Sequence, residues 1–208
     1  VLESALYARL ALEHYEEIAT SISRIKESSF EFYFGFTQKA AMDFAVIKIC
    51  ALYEQPNNRY KQNTVFALLK YLKDKKNLEA MDFSRIQSFP PINDRWKLQY
   101  FESRYGQEIS ETKEFSKCVK GILDECIRST SFEGLKRYRD KYLAHSEQLM
   151  PQDIIKELPP LKEMHDMVKV AELLSICVHD LCSKEASIDC SPRSMKMATQ
   201  RLIGTLIQ

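Results

Sequence analysis

Apolar residues recur at three- and four-residue steps through most of this chain, the spacing that gives one face of an α-helix to a core. Over residues 2 to 27, Leu2, Leu6, Leu10, Ile18, Ile22 and Ile25 keep that step, with Ala11, His14 and Tyr15 beside them. One helix is predicted there, with His14 as a boundary residue. Ser28, followed three positions later by Glu31, predicts a capping box that opens a second helix to about Glu54. That helix is the most apolar in the chain. Phe30, Phe34, Phe36, Phe44, Ile49 and Leu52 spread around most of its circumference, which predicts a central core helix. Glu31, Lys39, Asp43 and Lys48 interrupt it too often for a membrane span of roughly 20 apolar residues. Its aromatic start, Phe30 to Phe36, is expected to pack in the core or against a subunit.

Gln55-Pro56-Asn57-Asn58-Arg59 predicts a loop, and Asn63 or Thr64 a cap for a short helix through Val65, Leu68, Leu69 and Leu72. A charged turn, Lys73 to Lys76, precedes a brief helix near Leu78 to Ile86, which Phe89-Pro90-Pro91 ends. The next helix, Asp94 to Tyr105, carries Trp96 and Tyr100 inward and stops at Gly106. Ser110 is the expected cap of a helix with Phe115, Cys118, Val119, Ile122 and Cys126 on one stripe. Thr130-Ser131-Phe132-Glu133 then reads as a second capping box. Pro151 and Pro159-Pro160 bracket a loop before a helix from Leu161 to about Lys184. Ser191-Pro192 can start one more, ending in Leu202, Ile203, Leu206 and Ile207, four aliphatics that need cover. The class is all-α: a helical domain over residues 1–184 with additional short helices, and a C-terminal helical extension over 185–208 that packs on the bundle or on a partner chain.

Composition removes several functions. With 30 Lys+Arg against 29 Asp+Glu the net charge is +1, so no global field draws the chain to nucleic acid. Any RNA contact must come from a local patch. The cysteines (50, 118, 126, 177, 182 and 190) form no CxxC pair, and most sit in apolar helical runs. They read as reduced core thiols of a cytosolic protein; Cys177-Val178-His179 with Cys182 lacks a fourth metal ligand. No metal, no cofactor and no membrane contact is expected.

The chemistry concentrates in Arg139-Asp140-Lys141-Tyr142-Leu143-Ala144-His145. On a wheel of about 100° per residue, Phe132, Leu135, Tyr138 and Tyr142 form one stripe, and Arg139 and His145 flank it about 120° apart. Arginine is a fixed cation whose planar fork grips phosphate. Histidine titrates near ~6.5 and moves protons at cellular pH. Together they suit phosphodiester cleavage without a metal, and Lys141, one turn earlier, can lower the pKa of His145. One histidine serves poorly as acid and base on opposite oxygens, so the mechanism favours a two-fold dimer. Arg-Asp-Lys on a helix is also ordinary surface chemistry, and a terminal histidine also suits a helix dipole.

Arg139 to His145 resembles the R-x(4–6)-H motif of the HEPN superfamily, including a polar residue, Asp140, directly after the arginine. The stretch Phe34-Gly35-Phe36-Thr37-Gln38-Lys39-Ala40-Ala41-Met42-Asp43, then Leu52-Tyr53 and Leu68-Leu69, is similar to the early region of its abortive-infection U-type branch. Tyr138 to Ser146 is similar to the late one, and the likeness runs from about residue 5 to 182. It implies a dimeric helical bundle and, in active members, a metal-independent endoribonuclease leaving a 2′,3′-cyclic phosphate in phage defence or a toxin–antitoxin system. Arg139 and His145 would be catalytic, with Asp140, Lys141 and Tyr142 in support. Partners implied are RNA, a second copy, and an antitoxin or other defence protein. Some branches carry a tyrosine two residues after the histidine as an antitoxin's target; here that position is Glu147. The rival readings are a non-catalytic module binding RNA, a nucleotide or a protein, and a structural protein assembling through its apolar tail.

Overall fold

The helix expected over residues 2 to 27 is two helices, because the Thr20 hydroxyl competes for its backbone where the two meet. The computed structural model describes residues 1–55, 64–74, 76–77, 95–106, 108–144 and 158–182, with backbone only at 95–98 and 182. Helix α1 (Leu2–Thr20) ends where Thr20 donates its hydroxyl to the Glu17 carbonyl at 3.0 Å. The Ser21 amide is shared between the Glu17 and Ile18 carbonyls, and α2 (Ile22–Lys26) follows. Ser28 does not cap the next helix. Its hydroxyl donates to the Ile25 carbonyl at 2.7 Å and accepts from the Phe30 amide at 3.2 Å, so it closes α2 and leaves α3 (Glu31–Tyr53) without a side-chain cap.

Every regular element among the described residues is helical. After α3 come α4 (Val65–Lys73), capped by Thr64 as expected, and α5 (Arg95–Tyr105), which stops at Gly106 with φ of 77°. Helix α6 (Thr112–Arg128) has Glu111, not Ser110, at its N-cap. Glu114 accepts from the amides of Ser110 and Glu111, at 2.9 and 3.3 Å. Helices α7 (Thr130–Tyr138) and α8 (Leu161–Cys182) complete the set, with a π-helical turn at Arg139–Ala144 directly after α7. The brief helix near 78 to 86, Phe89-Pro90-Pro91, the Trp96 side chain, Pro151, His145 and the 185–208 extension lie outside the described residues.

Helix α1 runs antiparallel to both α3 and α8. Tyr7 meets Phe44 while Gln38 reaches the Tyr15 carbonyl; Arg9 meets Glu172 while Glu16 meets His165. The small residues Ala5 and Ala8, with Leu12, enter one core with Val46 and Ile49 of α3 and Val168 and Ala171 of α8. The α6 stripe, Phe115, Cys118, Val119, Ile122 and Cys126, is buried as the periodicity predicts, and Phe101 of α5 stacks edge-on to Phe115.

The central helix is α8, not α3. Residues 170 to 178 are buried on every side; of the polar groups there, Ser175 donates to the Ala171 carbonyl and one Glu172 oxygen takes Arg9. Helix α3 carries more apolar surface than its neighbours cover. Phe34, Ile49 and Leu52 are buried, whereas Phe32, Tyr33, Phe36, Phe44 and Ile47 stand in solvent. No described helix is long and apolar enough to cross a membrane. Cys50, Cys118, Cys126 and Cys177 are buried core residues.

Candidate functional site

Ser129, one residue before the expected box, caps α7. Its hydroxyl oxygen accepts from the Phe132 amide at 3.1 Å, and the hydroxyl donates to the Cys126 carbonyl at 2.6 Å. One serine therefore ends α6 and starts the motif helix. Phe132, Leu135 and Tyr138 bury the inner face of α7, as the wheel predicts. Phe132 packs on Tyr53 of α3 at 5.7 Å, and Tyr53 in turn donates to the Met167 carbonyl of α8 at 2.7 Å. The motif helix is thereby tied through α3 to the buried centre.

At Arg139 the backbone widens from α to π, with bonds from residue i to i+5, a distortion found often at functional sites. The 100° spacing of the wheel therefore fails beyond Tyr138. Tyr142 is only half-buried, its ring 5.5 Å from that of Tyr138, and with Leu143 it rests against the core. Asp140 and Lys141 face solvent.

Two adjacent residues clamp α3 at separate points. Tyr138 donates its hydroxyl to Asp43 Oδ1 at 2.8 Å. Arg139 donates through Nη1 to Glu54 Oε1 at 2.8 Å and through Nε to Asp140 Oδ1 at 2.8 Å. Asp43 and Glu54 lie about 16 Å apart along α3. Glu54 sits just past the last turn of that helix, in extended backbone. Asp43 is also held by Lys39, one turn earlier.

These contacts set the electrostatics. Burial works against the Arg139 charge, but Asp140 and Glu54 more than offset it, so the guanidinium is held above its ordinary value and stays a cation. Beside it, burial pushes the Cys50 thiol up to about 12; Arg139 pulls it down, while Asp140 and Glu54 push it further up. Cys50 is thus a neutral, inert neighbour. Burial, and then Asp43, raise the Tyr138 hydroxyl well above the ordinary phenol range, so it remains a donor. Residues 133 to 141 hold the cations Lys136, Arg137, Arg139 and Lys141 against Glu133 and Asp140, a local positive excess in a nearly neutral chain.

Of the five residues singled out in the sequence, Arg139, Asp140 and Tyr142 are joined by direct contacts or through Tyr138; Lys141 is exposed on the same turn, and His145 lies outside the described residues. Glu54, Asp43 and Cys50 carried no role in the sequence reading. They stand far from the motif in the chain, and no local periodicity signals such contacts. Among the described residues no group of three or more His, Cys, Asp or Glu is arranged to hold a metal. Compared with models of protein families, residues 2–173 match HEPN_AbiU2, described as AbiU2. No curated protein and no solved structure matches.

Proposed function

The chain belongs to the AbiU2 family of the HEPN superfamily, and from that premise we propose that it is a metal-independent endoribonuclease of a phage-defence or toxin–antitoxin system. The observation that carries the proposal is Arg139 itself. It is a permanent cation at an α-to-π junction, braced by carboxylates and only partly buried, on a segment with a local positive excess. A guanidinium so placed suits a phosphate whose charge grows as it passes through five-coordination.

In the proposed reaction the RNA 2′-oxygen attacks the adjacent phosphorus and the bond to the 5′-oxygen breaks. The products are a 2′,3′-cyclic phosphate and a free 5′-hydroxyl. His145 of one copy takes the 2′-hydroxyl proton, and the partner subunit's His145 gives a proton to the departing oxygen. Arg139 holds the non-bridging oxygens. Asp140 orients its fork, Glu54 holds the Nη1 end until phosphate displaces it, Tyr142 supports the turn through Tyr138, and Lys141 adds positive charge near the histidine.

The test is cleavage of a defined RNA by the purified chain and by its Arg139→Ala and His145→Ala variants, with and without EDTA. Wild type is expected to cleave in EDTA and leave cyclic-phosphate ends, and both variants to lose at least 100-fold in rate. Equal cleavage by wild type and His145→Ala would remove the assignment. The second reading, a non-catalytic module binding RNA or a partner protein, is favoured by one observation: the Arg139 charge already meets two carboxylates. It predicts binding that survives both substitutions, and no cleavage.

A further inference from the structure

We propose that the outward face of α3 is the surface through which two copies of this chain associate. Phe32 is 88% exposed and Phe36 65%. Phe44 and Ile47 continue the row at helical spacing, each exposed by more than a third. These four fall within about 120° of the helix circumference and span about 22 Å of its length. Tyr33 widens the row on α3, and Tyr7 of α1 extends it sideways, its ring edge-on to Phe44 at 6.5 Å. A helix face this apolar is normally covered.

Area and charge argue for a second copy. At about 200 Å² per aromatic side chain, the exposed parts of these five rings amount to roughly 600 Å². Each partner of a standard interface buries about 800 Å², so the patch supplies most of one side before Ile47 or the rim is counted. Little charge opposes it: Lys39 pairs with Asp43, and Lys48, which stays a cation, lies over the Tyr7 and Phe44 rings at 5.6 and 5.2 Å. A face with one such cation beside its apolar row meets little like-charge penalty when it turns onto its own image across a two-fold axis. Single-stranded RNA needs the reverse, aromatics set in a positively charged groove. The row also ends about 10 Å along α3 from Glu54, the partner of Arg139. The inference shares with the proposed function only the assumption that two copies meet.

The experiment is sedimentation equilibrium on the full chain, wild type against Phe32→Glu/Phe36→Glu. The milder Phe32→Ser/Phe36→Ser is a second variant, Phe36→Leu a conservative control, and Tyr105→Glu a distant exposed control. Circular dichroism checks that helix content is kept. At ~20 µM the wild type and both controls are expected as dimers, in 1 M NaCl as well as 0.15 M. Both double variants are expected to be monomeric, with dissociation constants raised at least 100-fold. A monomeric wild type, or double variants as dimeric as wild type, would overturn the inference. So would a face that binds a 20-nucleotide single strand or anionic phosphatidylserine vesicles through Phe32 and Phe36 while dimerisation is unaffected. Catalysis separates from assembly in the same samples. A dimeric His145→Ala protein without cleavage supports the nuclease reading alone, and a monomeric α3 variant that still cleaves removes the shared active site but not the surface.

Discussion

Arg139 Nη1 and Glu54 Oε1 lie 2.8 Å apart, joining residues 85 positions apart in the chain. With Nε given to Asp140, each flat edge of the guanidinium already has one position taken by a carboxylate. A phosphate that needs two parallel bonds must displace one of them. The side chain of Glu54 is 45% exposed, so the pair is weak, worth about 0–1 kcal/mol. Glu54→Gln is therefore expected to tighten binding of a 2′-O-methyl oligonucleotide, by up to about five-fold. Fluorescence anisotropy at fixed salt reads it. Weaker binding would mean that Glu54 serves chiefly to position the arginine.

Ser129 is expected to matter more than its small side chain suggests. Ser129→Ala removes the cap of the motif helix and one bond to the end of α6, at a cost of about 1 kcal/mol. For a chain of this size that lowers Tm by about 2–4 °C. Ser129→Asp restores the N-cap and should recover most of the loss in a thermal melt.

Tyr138→Phe removes the hydroxyl that meets Asp43. Asp43 keeps Lys39 and some solvent, so the expected loss is about 1.5 kcal/mol, at the low end for a hydrogen bond to a charged group. Because burial and Asp43 hold the phenol protonated, the loss should be the same at pH 6 and pH 9. Urea titrations at the two pH values test both points.

Glu172 gives the fold a pH dependence of definite sign. It is buried, and its Oε1 has no hydrogen-bond partner among the described residues. Burial raises its pKa to about 7; Arg9 pulls it down and Glu13 pushes it up. The folded state thus holds this proton more tightly than the unfolded chain, whose carboxyl titrates near 4.5. The stabilisation is complete below that value and is lost as pH rises through about 7. Wild type should lose up to about 3 kcal/mol relative to Glu172→Gln between pH 4.5 and pH 8. A stability difference that stays flat across this range would show that Arg9 fully compensates the buried charge.

Local elements were legible wherever one face decides the outcome. The α6 stripe, the Thr64 cap and the stop at Gly106 follow from spacing and from glycine's tolerance of positive φ. Caps were misplaced by one residue at Ser110 and Thr130, because neighbouring polar residues compete for the same amides and only the relaxed backbone decides. Helix α3 was misjudged for a different reason. Its apolar residues surround it, and a sequence does not say how much of a circumference the neighbours will cover. Arg139 was legible as a candidate through its motif. Glu54 and Asp43 were not, since Glu54 reaches Arg139, and Asp43 reaches Tyr138, only through the packing of α3 against the motif segment.

The π turn has a consequence for chain length. A turn that closes on i+5 takes in one residue more than an α turn, as though a residue had been inserted and absorbed in place. Removing one residue between Asp140 and Ala144 would let the turn relax to α while Tyr138 and Arg139 keep their hold on Asp43 and Glu54. The clamp on α3 is thereby insulated from small changes in the spacing that follows it, and the arginine end of the motif stays fixed while the number of residues after it varies by one.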